Sequence, residues 1–280
     1  MPTQQEKARR FRALHDAAAA FVIPNVWDGG SAALMAQLGY AALATSSSAA
    51  AATLGKSDGG LTREEALAHA GAVARMTALP VAADLENGFG DSPEDAALTI
   101  RLAAAAGLVG GSIEDSSHDS AQPIYAFEHA VARVTAAVQA ARAAGVAFVL
   151  TARAENFLHG RADLADTVRR LQAYERAGAD VLFAPGLPDL DAVRTVCAAL
   201  TRPVNFMVGM PGQSFSQAQL TAAGVRRISL STTLYRAAMT GVAAAAREAL
   251  TGNFGYVSGL MGGGELGRAL TAQSAALKAP

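Results

Sequence analysis

The chain has 280 residues, 51% hydrophobic and 17% charged, so it can bury a large core and is not a disordered polypeptide. Its 23 basic and 24 acidic side chains leave a net charge of −1, which removes any global electrostatic reason to bind nucleic acid or an anionic membrane. The single cysteine, Cys197, excludes an internal disulfide and a cysteine-rich metal site.

Lys7, Arg9, Arg10 and Arg12 precede an apolar stretch at 17–23, but His15 and Asp16 intervene and no convincing cleavage site follows. The segment therefore does not read as a secretory leader. No apolar run reaches the roughly 18 residues needed to span a bilayer, and a cytoplasmic protein is expected.

Short apolar runs then alternate with longer alanine-rich segments of helical character. Residues 21–24 form the first run, with a helix predicted over about 30–38, and residues 41–45 form the second. Thr62-Arg63-Glu64-Glu65 matches a capping box that opens a helix before the third run, 80–83. Ser92-Pro93-Glu94 is a capped start with proline at the first helical position, and the fourth run, 110–113, follows that helix. Further runs lie at 147–151, 180–183, 203–206 and 227–230. Gly39, Gly107, Gly145, Gly178 and Gly224 sit where helices should close.

Eight such units predict one α/β domain over 1–251, a (β/α)8 TIM barrel. A doubly wound sheet would show a glycine-rich phosphate turn after its first strand, where this chain has Asn25-Val26-Trp27-Asp28. Residues 252–280 read as a flexible, glycine-rich C-terminal extension, since seven of the sixteen residues in 252–267 are glycine.

In a barrel the chemistry collects where strands end. Acidic residues crowd the ends of the third, fourth and fifth strands: Asp84 and Glu86, Glu114 and Asp115, and Glu155 beside Arg153. Asp84 and Glu86 are two apart, so strand alternation would aim both at the barrel mouth. With Glu114, and Asp58 on a loop, they form an all-oxygen cluster suited to Mg²⁺, or Mn²⁺ in its place, or else a set of solvated acids and a salt bridge to Arg153. Thr45, Ser46 and Ser47 offer small polar groups for a substrate carboxylate, and Arg153 offers a bidentate fork for the same anion. Trp27, at the first strand end, is a further candidate substrate contact. His118, after the fourth strand, is a candidate acid or base. Cys197 falls in a helix away from the mouth and reads as structural.

Asp84-Leu85-Glu86-Asn87-Gly88-Phe89-Gly90 resembles the D-x-D/E-x-G-[FY]-G motif of the isocitrate lyase and phosphoenolpyruvate mutase superfamily. Thr45-Ser46-Ser47, Leu54-Gly55 with Asp58, Gly111-Ser112-Ile113-Glu114-Asp115 and Ala152-Arg153-Ala154-Glu155 resemble further family segments in the same order, over roughly 20–250. The resemblance implies a metal-dependent barrel acting on 2-oxo acids or their precursors. Mg²⁺ would be bound directly by Asp84 and through waters by Asp58, Glu86 and Glu114. The substrate carboxylate would be held near Ser46 and Ser47 and by Arg153. It also implies homo-oligomers, dimers or tetramers, in which an eighth barrel helix is exchanged between copies.

The loop that carries K-[KR]-C-G-H in isocitrate-type lyases here reads Ser116-Ser117-His118-Asp119-Ser120-Ala121-Gln122-Pro123-Ile124, with neither lysine nor cysteine. The lysine of the phosphonate branch is missing as well, and Pro185 replaces the family's glutamate after the sixth strand. The expected activity is a carbon–carbon lyase of a small 2-oxo or 2-hydroxy dicarboxylic acid, with oxaloacetate-type decarboxylation as its leading form. Asp58, Arg153 and His118 are the candidate catalytic groups. A phosphonopyruvate mutase or hydrolase and a non-catalytic 2-oxo acid binding protein are the alternatives.

Overall fold

Pro24 has no N–H to contribute to a ladder, and it splits the first expected strand into β1 (Phe21–Ile23) and β2 (Asn25–Val26). The computed structural model describes residues 2–117 and 119–278. The remaining strands are β3 (Leu43–Thr45), β4 (Val81–Asp84), β5 (Gly110–Glu114), β6 (Val149–Arg153), β7 (Val181–Phe183), β8 (Val204–Met207) and β9 (Arg227–Ser229). Every pairing is parallel, in the order β1-β9-β8-β7-β6-β5-β4-β3-β2. The two ends of this sheet are consecutive pieces of one chain segment, and Pro24 O still accepts from Ala44 N at 3.0 Å. The result is a nearly closed parallel barrel, consistent with the expected (β/α)8 architecture. Among the described residues, nine strands stand against the eight expected, because one proline interrupts the first.

A helix not anticipated from the periodicity, α1 (Gln4–Asp16), closes the N-terminal end of the barrel. Thr3 caps it in a full capping box with Glu6, and its buried face carries Lys7, Ala8, Phe11 and His15. Phe11 packs with Ile23, Ala82, Val109, Val149 and Val181 beneath the sheet. A Cβ on Gly110 would stand 2.8 Å from the Phe11 ring, so a side chain there would displace the plug. Lys7 Nζ donates to Thr77 O at 2.6 Å, and burial pulls its pKa down to about 8.

The outer ring comprises α2 (Gly29–Gln37), α3 (Ser47–Thr53), α4 (Arg63–Arg75), α5 (Pro93–Ala105), α6 (Phe127–Arg142), α7 (Leu164–Ala177), α8 (Leu190–Ala198), α9 (Gln217–Ala222) and α10 (Thr233–Leu250). Both expected capping boxes form, Thr62 with Glu65 and Ser92 with Asp95. All five helix-closing glycines lie at positive φ, and Gly178, at 103°, is the left-handed cap of α7. Alanine dominates the buried helix faces, as at Ala96, Ala103, Ala130 and Ala137, where small side chains let helices approach the sheet closely. Cys197 is half-buried on α8, and burial pushes its thiol up to about 11.

The C-terminal segment carries more order than a flexible extension. A short 3-10 turn (Gly255–Gly259) leads into α11 (Gly263–Lys278), which returns to pack on α2 and buries Ala269. Helix α10 is the exception among the ring helices, because none of its residues is buried within the single chain. Among the described residues, no helix is long and apolar enough to cross a membrane.

Candidate active site

TIM-barrel interiors are ordinarily filled by layers of bulky branched side chains. Here Ala44, Ala82, Ser112 and Thr151 occupy positions along the interior, and they leave a cavity of about 460 Å³ open at the strand ends. Sequence-expected residues Thr45, Ser46, Ser47, Asp58, Asp84, Glu86, Glu114 and Arg153 all line it. Trp27 does not: its ring lies edge-on to Tyr235 of α10, with centroids 5.3 Å apart, and its carbonyl contacts His69 Nε2 at 2.7 Å. His118 lies outside the described residues.

Arg153, the last residue of β6, organises the acids. Its Nη1 is 3.0 Å from Asp84 Oδ1, its Nη2 3.0 Å from Glu114 Oε2 and its Nε 2.8 Å from Glu155 Oε1. The register explains this, because Glu114 pairs directly with Arg153 across β5 and β6. The guanidinium also lies over the Phe183 ring, 5.2 Å from its centroid. Asp84 Oδ2 accepts from Ser47 Oγ at 2.9 Å, and Asp84 N donates to Thr45 Oγ1 at 3.2 Å. Ser46 caps α3 through its side chain, so the polar triplet serves first as a helix start and as a support for Asp84.

Glu86 reaches the cavity as expected, but through a turn and not through strand alternation. β4 ends at Asp84, and Glu86 turns inward on left-handed backbone, with φ of 49°, followed by Phe89 at 57°. Such backbone costs on the order of 1 kcal/mol per residue and persists where the surroundings over-determine it. They do so here. Buried Arg133 donates to the carbonyls of Asn87, Gly90 and Ser92, and Arg63 to those of Gly88 and Phe89. Asn87 Oδ1 accepts from Phe89 N at 2.9 Å, completing the turn.

The acids are held under electrostatic stress. Burial, then Asp84 and Asp58, push Glu86 up to about 7, and its Oε1 is buried without a hydrogen-bond donor. Burial raises Asp58, with Asp84 adding to it, and burial lifts Glu114 well above the usual carboxylate range despite Arg153. An orphaned carboxylate oxygen beside two further carboxylates is a donor set for a hard cation. Among the described residues, no three acidic, histidine or cysteine side chains converge closely enough to bind one directly. The set therefore fits an ion such as Mg²⁺, which takes one or two carboxylates and keeps several waters, and does not fit an all-protein cage.

Two features of the cavity were not picked out from the sequence. Ser116 Oγ and His159 Nε2 are 2.8 Å apart at its rim, although 43 residues separate them. His159 lies six residues beyond Arg153, and that spacing alone gives no sign of the pairing. Arg227 lies inside the barrel. Its signal was present, because in Val225-Arg226-Arg227-Ile228 alternation must turn one of two adjacent arginines inward.

The family model for phosphoenolpyruvate phosphomutase matches residues 11–250. A candidate lyase/mutase from Burkholderia cenocepacia, known from its crystal structure, is 48% identical; the match covers 95% of each chain, with a TM-score of 0.92. A 2,3-dimethylmalate lyase of the PEP mutase/isocitrate lyase superfamily is 27% identical, over 98% of this chain and 97% of that one, with a TM-score of 0.85. The oxaloacetate decarboxylase of Paraburkholderia xenovorans is 33% identical over 218 residues, 75% of this chain and 70% of its own length.

Proposed function

The chain belongs to the phosphoenolpyruvate phosphomutase family of the PEP mutase/isocitrate lyase superfamily, and from that premise we propose that it is a Mg²⁺-dependent carbon–carbon lyase of a small 2-oxo or 2-hydroxy dicarboxylic acid. Its leading form is decarboxylation of an oxaloacetate-type substrate. The observation that carries this reading is the cavity itself, where Asp58, Asp84, Glu86 and Glu114 line one space with Arg153, which pairs with Asp84 and Glu114. The kinship to an oxaloacetate decarboxylase and a dimethylmalate lyase supports the substrate class.

Asp84, with Asp58, Glu86 and Glu114 acting through waters, would hold Mg²⁺, and the ion would supply positive charge to polarise the 2-oxo group. Arg153 is fixed by three acids and by Phe183, so it meets the substrate without reorganising. As the bond between C3 and the far carboxylate breaks, CO₂ leaves and the electron pair of that bond passes through C3 onto the 2-oxo oxygen as an enolate, whose negative charge Arg153 stabilises. A proton then returns to the carbon that lost CO₂. The Ser116–His159 pair at the cavity rim would deliver it, as a second candidate beside His118.

The proposed assembly is a homo-oligomer with exchanged helices. The support is α10, which leaves Met239, Val242 and Leu250 exposed in the single chain.

The test is a panel of oxaloacetate, methylisocitrate, dimethylmalate and phosphonopyruvate with Mg²⁺, followed by pyruvate release and ³¹P NMR. Metal-stimulated pyruvate from oxaloacetate, lost in Asp84→Ala, is the expected result. A new phosphorus species from phosphonopyruvate alone would move the chemistry to the P–C bond, and binding without turnover of any acid would mark a binding protein.

A further inference from the structure

Arg227 opens β9 and is buried inside the barrel, 7% exposed. Three of its five N–H groups are spent, all on neutral partners. Nε donates to Asn205 Oδ1 at 2.8 Å, Nη2 to Thr151 Oγ1 at 3.0 Å, and Nη1 faces His15 Nε2 at 3.4 Å. His15 brings no compensating charge. Its Nδ1 donates to Phe11 O at 2.9 Å, so its Nε2 is the accepting nitrogen of a neutral ring, and burial, then Arg227, push its pKa down to about 3. Among the described residues, no carboxylate lies within ion-pair distance of Arg227, whereas Arg153 has three. A buried cation without a counter-charge is destabilising, and burial alone lowers this guanidinium to about 9.

The direction from which a counter-charge can come is set by the packing. Below the guanidinium, His15 is wedged edge-on between Phe11 and Phe21, at centroid distances of 4.9 and 5.0 Å, and closes that side. Above it, Arg227 lines the same cavity as Arg153, together with Asn25, Asn205 and Ser229. Thr151, which Arg227 touches, precedes Arg153 by two residues on β6. Thr151 and Arg153 stand one interior layer, about 7 Å, apart along β6.

We propose that Arg227, with Asn205 and Thr151, forms an anion subsite at the cavity floor that takes the far carboxylate of a short dicarboxylate whose other end lies at Arg153. The inference rests on the acid-lyase reading and deepens it, because it makes two carboxylates, rather than one, the feature the cavity selects. The test does not need turnover. Succinate and butyrate, of equal carbon count, are titrated calorimetrically into the full chain with Mg²⁺ in the buffer, in wild type, Arg227→Met and Arg227→Lys.

Wild type should bind succinate at least about tenfold tighter than butyrate, the worth of one charge-assisted contact. Arg227→Met should lose that discrimination with butyrate affinity unchanged, and Arg227→Lys should keep part of it. Because Arg227→Met removes an unpaired buried cation, its melting temperature should be equal to or above that of wild type. If Arg227→Met fails to fold, Arg227→Lys and Asn205→Ala carry the same comparison. No discrimination in wild type, or full discrimination in Arg227→Met, overturns the subsite. Discrimination lost in Arg227→Met by a protein that turns over no acid upholds the subsite and sinks the lyase reading.

Discussion

Arg153 Nη1 stands 3.0 Å from Asp84 Oδ1, and the same guanidinium holds Glu114 and Glu155 through its other two nitrogens. One cation is thus shared by carboxylates from three successive strand ends. Arg153→Met would leave those acids buried together without a counter-charge, and we expect a loss of about 3–5 kcal/mol of stability along with activity. Arg153→Lys keeps the charge but not the planar fork, so it should fall between the two. Urea unfolding of both variants checks this, and wild-type stability in Arg153→Met would contradict it.

Behind the cavity, Asp115 links three elements. Its Oδ2 meets Arg170 Nη1 at 3.0 Å and Tyr174 Oη at 2.6 Å, and its Oδ1 accepts from Glu155 N at 2.8 Å. Asp115→Asn should cost about 3–5 kcal/mol, because it leaves Arg170 with a weakened partner in the interior. Tyr174→Phe, which deletes one hydrogen bond, should cost about 1–3 kcal/mol. Thermal melts that show the reverse order would remove Asp115 from this role.

His15 makes stability depend on pH in a stated direction. Its folded pKa is about 3, against an ordinary value of 6.5, so the unfolded chain takes up this proton first as pH falls. The contribution of the neutral ring is complete above about pH 6.5 and is lost between there and about pH 3, at most about 5 kcal/mol for this single group. His15→Phe keeps an aromatic between Phe11 and Phe21 and abolishes the titration. Its urea midpoint should fall less than that of wild type on moving from about pH 7 to about pH 4; parallel declines would show that the ring is not the titrating group.

If the Ser116–His159 pair returns the proton to the product, His159→Gln should lower kcat by about a hundredfold with little change in KM. Ser116→Ala should have a smaller effect in the same direction. Steady-state kinetics on oxaloacetate separate the two parameters, and an unchanged kcat in His159→Gln would return the proton to solvent.

The parts of the barrel that sequence reasoning recovered are those governed by neighbours along the chain. Capping boxes at Thr62 and Ser92, glycines at helix ends and eight apolar runs are local signals, and each appears in the structure. Helix α1 escaped because its polar, basic exterior hid a buried face of only four residues. The order of α11 escaped because three consecutive glycines read as flexibility, whereas packing on α2 supplies the stabilisation that propensity lacks. Trp27 was drawn to the mouth by its place at a strand end, but its ring packs against Tyr235, some two hundred residues further along the chain.

The sequence by itself determined an alternating α/β chain, its superfamily and the identity of the acids near Arg153, because periodicity, caps and motif order are carried by short stretches of chain. The tertiary structure decided which charges meet. Arg153 is surrounded by three carboxylates while Arg227, lining the same cavity, has none, and both facts depend on the register of strands far apart in sequence. Charge compensation in a low-dielectric interior is a property of such juxtapositions, and for this reason the polarity of the cavity floor appears only once the barrel is closed.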